Sequence, residues 1–209
     1  MTLTEQLQPL LDKRLLAVLL ATVFWPTTVL AQEHLLPWSH SPGSGIGISS
    51  NDVLREDVRV SAIVESLYPP FAVGVERSGN AWRVFYLRPD ARSLEEAAKR
   101  EKPPVRCEIG IAPSLGAHIE SIWEAMLGNA QIDKDYPLLI DGSEYYFSGY
   151  VNGDLKTATA GDAPASSKPG QLQNVVYAMR ALCKSRDEKS RAELMRLADG
   201  LYTQLEKKN

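Results

Sequence analysis

Residue types able to carry chemistry are few in this chain and widely spaced. Three histidines occur, His34, His40 and His118, with two cysteines, Cys107 and Cys183. His34 and His40 fall in QEHLLPWSHSPGSGIGISS (32–50), where no fixed geometry would hold a base or a ligand. His118 lies on an expected helix, one turn ahead of Ile122, and reads as a surface or boundary residue. No H-E-x-x-H, G-x-S-x-G, Walker pattern or zinc-spaced Cys/His cluster occurs. Gly43, Gly45 and Gly47 lack the preceding strand and following helix that a dinucleotide loop needs. No catalytic, cofactor-binding or metal-ligating residue is singled out, and no cofactor is expected.

Carboxylates and aromatics offer more. Asp133, Asp135 and Asp141 gather around the 129–142 loop. Counted from Asp133 as a calcium loop, the sixth place holds Leu138 where glycine is required, so that pattern fails. Together with Glu124 these acids are the groups a hydrolase of sugar or cell-wall polymers would use, since its two carboxylates need only converge in space. Four aromatics follow at Tyr145, Tyr146, Phe147 and Tyr150. On a strand, Tyr146 and Tyr150 share one face, where they would stack on a sugar or anchor a partner protein, or pack beneath a neighbouring loop.

The elements that must position these residues begin after an export signal. Lys13 and Arg14 precede an apolar run from Leu15 to Trp25, Pro26 breaks it, and Val29-Leu30-Ala31 supplies small residues for cleavage. Residues 1–31 are therefore expected to be a signal peptide cleaved after Ala31, with a retained anchor as the alternative. Residues 32–50 are expected as a flexible leader and 51–209 as a single domain. The second half of 51–67 is expected as a strand. A hairpin is expected over 71–87, where Phe71, Val73 and Val75 alternate with smaller or polar residues before the Ser78-Gly79-Asn80 turn. A capping box at Ser93 and Glu96 opens a short surface helix to about Glu101.

Strict alternation marks 105–111 as a strand, with Val105, Cys107, Ile109 and Ile111 on one side. Helical spacing of Leu115, Ile119, Ile122, Trp123 and Met126 predicts a helix over 114–127. A strand is expected over 143–151, a polar loop over 152–170, and two closing helices over 171–184 and 188–207. The fold class is α+β, a small, mainly antiparallel sheet packed on one face by three or more helices.

Cys107 lies on the apolar side of its strand, and Cys183 on the helical stripe Leu172, Val175, Val176, Met179 and Leu182. Both periodicities aim inward, so a Cys107–Cys183 disulfide is expected, in keeping with an oxidising compartment. Closing a loop of about 77 residues would contribute roughly 4 kcal/mol in the chain-entropy model.

The balance of 23 Lys+Arg against 26 Asp+Glu leaves a net charge of −3, which gives no electrostatic footprint for nucleic acid. The C-terminal amphipathic helix is too poor in Trp, Phe and Lys for membrane binding, so membrane contact is expected only through the signal segment. The expected function is that of an exported, non-enzymatic protein-binding factor, periplasmic or secreted, of inhibitor, immunity or envelope-accessory type. Its partner would be another envelope or secreted protein, with Tyr146 and Tyr150 as the binding surface. The carboxylate-dependent hydrolase is the alternative.

Overall fold

The computed structural model describes residues 34–37, 48, 50–66, 69–91, 96, 99, 102–131 and 142–207. By internal contacts the chain divides into Met1–Ala31 and Gln32–Asn209. The first unit, and with it the expected signal peptide, lies outside the described residues. So does most of the expected 93–101 helix.

Among the described residues, seven strands and four helices follow in the order β1 (Leu36–Pro37), α1 (Ser50–Val53), β2 (Val58–Glu65), β3 (Phe71–Ser78), β4 (Ala81–Arg88), β5 (Val105–Ile111), α2 (Pro113–Gly128), β6 (Glu144–Val151), β7 (Asp154–Ala160), α3 (Lys168–Ser185) and α4 (Glu188–Glu206). The strands form one antiparallel sheet, ordered β1-β7-β6-β2-β3-β4-β5. The fold is α+β. The β3–β4 hairpin turns on Gly79, whose φ of 59° suits the first place of a two-residue turn. A bulge in β2 between Val58 and Val60 reverses the side-chain alternation there, so both valines are buried, on opposite faces.

One face of the sheet carries Val60, Val73, Val84 and Phe147 into a core shared with Trp123 of α2 and Met179 of α3. Both α2 and α3 lie on the strands; α4 seats its stripe of Leu194, Ala198, Leu201 and Leu205 on α2 and α3. The expected three helices on one sheet face are thus two helices with a third stacked outside them. An apolar stripe reports that a helix buries one side, and the same stripe serves whether its cover is a sheet or other helices. The opposite face holds a second cluster, in which Ile48 and Val53 cover Ile63, Ala72, Phe85 and Tyr146.

Two expectations for the chain's course are corrected. Polar 152–170 contains β7, which pairs with β6 through the turn Asn152-Gly153, both at positive φ (53° and 87°). An Asn-Gly pair is the preferred two-residue hairpin turn and was the available signal; the strand DLKTATA hid it by burying only small side chains, Ala158, Thr159 and Ala160. The flexible leader is anchored in its described parts. Leu35 is fully buried, its carbonyl accepts from the Gln131 N–H at 2.9 Å, and Leu36–Pro37 pairs with β7. One apolar residue at each anchor sets up no period, so composition alone reads as linker.

Candidate functional site

α3 has no acidic residue in its 18 positions, whereas it carries Lys168, Arg180 and Lys184. Its apolar stripe of Leu172, Val175, Val176, Met179 and Leu182 faces the sheet. Tyr177, Arg180, Ala181 and Lys184, spaced i, i+3, i+4 and i+7, therefore line the outward side. The rings beneath them belong to β3 and β4. The Arg180 guanidinium lies 4.4 Å from the Phe71 ring centre, and Lys184 Nζ lies 5.7 Å from that of Tyr86. Tyr177 leans on Phe71 with centroids 5.7 Å apart, and its hydroxyl is 3.0 Å from that of Tyr145. The Tyr145 hydroxyl also donates to Asp162 at 3.2 Å, which fixes the end of this aromatic row.

Charge on this face is uncompensated. Among the described residues neither Arg180 nor Lys184 forms an ion pair, and Arg88 at the end of β4 reaches only the Pro89 carbonyl. Burial lowers the Lys184 ammonium below the ordinary lysine range, and the nearby Arg180 and Arg88 charges lower it further. Two cations held over aromatic rings, with a third close by, form an anion-receptive surface.

The tyrosines expected as a binding surface part company. Tyr146 is 8% exposed, packed in the second cluster, with its hydroxyl donating to Glu144 at 2.7 Å and to Glu65 at 3.4 Å. Burial and these carboxylates push its phenol far above the ordinary range. Tyr150 stays 38% exposed, and Arg59 lies 5.7 Å from its ring centre while bonding Glu120 at 2.6 Å.

Further along the same sheet face, Arg106 bridges Glu76 and Glu108 at 2.5 Å each and rests 4.5 Å from the Phe85 ring centre. Burial raises the Glu76 carboxyl above its ordinary value; Glu108 and Asp57 add to this, against the pull of Arg106 and Arg55. The folded state therefore holds this proton more tightly than the unfolded chain. Stability contributed by Glu76 must fall as pH rises through the window just above the ordinary glutamate range. Denaturant melts of the native chain and Glu76→Gln between pH 4.5 and 7 should show the native chain losing stability relative to the variant as pH rises. A constant difference between the two would remove Glu76 as the titrating group.

Both cysteines are separate thiols and lie side by side. Cys107 Sγ donates to the Cys183 carbonyl at 3.0 Å, and Cys183 Sγ faces the Cys107 carbonyl at 3.6 Å. Arg186, the left-handed C-cap of α3, brings Nη2 to 3.6 Å from Cys107 Sγ.

His118 has a partner that local spacing could not reveal. Its Nδ1 lies 2.8 Å from Asp199 Oδ1 on α4, and its ring stacks on Tyr202 at 4.5 Å. Asp199 is 81 positions away, so only the packing of α2 on α4 joins them. Glu124 is exposed and accepts the Asn152 N–H at 3.5 Å. Asp133, Asp135 and Asp141 lie outside the described residues, as does His40. Among the described residues, no cluster of three or more His, Cys, Asp or Glu is arranged to hold a metal ion, and no helix is long and apolar enough to cross a membrane. No protein-family model matches the chain, and no curated protein matches it.

Proposed function

We propose that the chain is an exported, non-enzymatic protein-binding factor that receives an acidic segment of a partner protein on the outward face of α3. The observation carrying this reading is the uncompensated pair Arg180 and Lys184 above Phe71 and Tyr86, with the Arg88 charge close to Lys184. Arginine and tyrosine are among the residue types that most often dominate interface energetics, and side chains already seated on rings lose less freedom on binding. An anionic lipid surface would call for about four to eight clustered basic residues rather than three. A net charge of −3 argues against a nucleic acid. Export is supported by Lys13-Arg14, the apolar run to Trp25 and the small residues ending at Ala31. Tyr150, half-exposed, extends the available aromatic surface elsewhere on the molecule.

A labelled glutamate-rich peptide titrated into the purified chain tests the chemistry of the face. Arg180→Gln with Lys184→Gln is expected to weaken binding about ten-fold, with the native affinity falling as salt rises. Proteins retained from envelope extract by the native chain should be lost by the same variant. Equal retention by both, with the variant shown to be folded, would defeat the reading. Hydrolysis of a cell-wall polymer, lost in Asp133→Asn, Asp135→Asn or Asp141→Asn, would favour the enzyme instead.

A further inference from the structure

We propose that Cys107 and Cys183 form a thiol–disulfide exchange site, in which Cys107 is captured first by an incoming organic disulfide and Cys183 resolves the mixed disulfide. The asymmetry of the two sulfurs carries the assignment. Cys107 sits half-buried on β5, the last strand in the sheet order, whereas Cys183 is 3% exposed on the inward side of α3. An external disulfide can therefore reach the first sulfur and not the second.

Position supplies the rest of the chemistry. Arg186 Nη2, 3.6 Å from Cys107 Sγ, is placed to receive negative charge developing on that sulfur. Its backbone is held by an N–H bond to the Leu182 carbonyl at 2.8 Å. Burial, then a hydrogen bond with Cys107, pushes the Cys183 thiol far above the ordinary range, which disfavours it as the first nucleophile. Each sulfur already rests against the other residue's carbonyl, which keeps the two side chains adjacent for the second step.

The reaction balances with one external disulfide, R–S–S–R. Cys107 loses its proton to water and its sulfur attacks one sulfur of the disulfide; the S–S bond breaks and RS⁻ leaves. Cys183 then gives up its proton to water and attacks Cys107 Sγ; the Cys107–SR bond breaks, the second RS⁻ leaves, and the two RS⁻ take up the two released protons. Two protein thiols are oxidised, and the external disulfide is reduced to two thiols. The new bond fastens α3, which also bears Arg180 and Lys184, to the edge strand.

Oxidised glutathione is a suitable probe. The reduced, folded chain is mixed with it, quenched at intervals with acid and mapped by peptide mass spectrometry. Early samples should carry glutathione on Cys107 alone, and late samples an intramolecular disulfide with no adduct. Cys183→Ser should stop at the Cys107 adduct, while folded Cys107→Ser should stay unmodified until denatured. Arg186→Gln should slow capture about three- to ten-fold, with Arg186→Lys recovering most of the rate. An early adduct on Cys183 of the native chain, or a native chain that never closes the bond, overturns the proposal. The early mapping uses the native chain alone, so its outcome does not depend on whether a substituted chain folds. Acidic-peptide binding is measured separately and stands or falls on its own.

Discussion

Trp123→Ala should lower stability by about 4 to 5 kcal/mol, the largest effect expected of a single substitution in this chain. Trp123 is fully buried at the centre of α2, with its ring edge-on to Phe147 at 6.0 Å and 70°. Its indole N–H donates to the Ser61 carbonyl of β2 at 3.1 Å. Truncation removes the apolar area, leaves a cavity between helix and sheet, and takes away the carbonyl's side-chain donor. For a domain of this size the loss corresponds to a melting temperature lower by about 10 °C or more. Trp123→Phe separates the terms: it keeps most of the contact and loses the bond, at about 1 to 2 kcal/mol. Denaturant unfolding of the three chains decides. An alanine variant within about 2 kcal/mol of the native chain would mean that α2 is not seated as described.

Gly74→Ala is the second large effect, and its sign runs against local propensity. In a strand, alanine should exceed glycine by about 0.5 to 1 kcal/mol because the unfolded chain has less freedom to lose. Gly74 lies mid-strand in β3, flanked by β2 and β4. A Cβ there would overlap the Val60 backbone carbonyl and lie 2.6 Å from two carbons of the Phe85 ring. A backbone carbonyl in the central strands cannot move aside cheaply, so about 2 to 3 kcal/mol of destabilisation is expected. Gly110→Ala on β5 is the matched control, since a Cβ there meets nothing within 4 Å. Thermal melts should show a large drop for the first and almost none for the second. Equal behaviour would show that packing around Gly74 is looser than its geometry implies.

Much of the fold was legible because burial repeats with a period. The alternation through 105–111 and 143–151 marked two strands, and the stripes through 113–128, 168–185 and 188–206 marked three helices to within three residues of their ends. Periodicity failed where a buried face is built from small residues or from one residue at a time. Ala158 and Ala160 in β7, Leu35 before β1 and Ile48 before α1 are all fully buried, yet none belongs to an apolar run.

The candidate face was half visible. A helix without acids is apparent from its letters, but the periodic signal lies in its buried stripe, and Tyr177, Arg180 and Lys184 fall outside that stripe. That Arg180 rests on Phe71 and Lys184 on Tyr86 joins residues roughly a hundred positions apart, and no spacing rule spans that distance. The same holds for His118 and Asp199.

Cys107 and Cys183 mark the division clearly. That each sits on an apolar periodic face follows from neighbouring residues alone, because side-chain direction along a strand or helix is a local property of the backbone. That these faces meet, that one sulfur is buried while the other lies beside Arg186, and that α4 packs on helices rather than strands came only with the assembled fold. Such outcomes depend on which surfaces cover which, and that is settled by packing between elements distant in the chain.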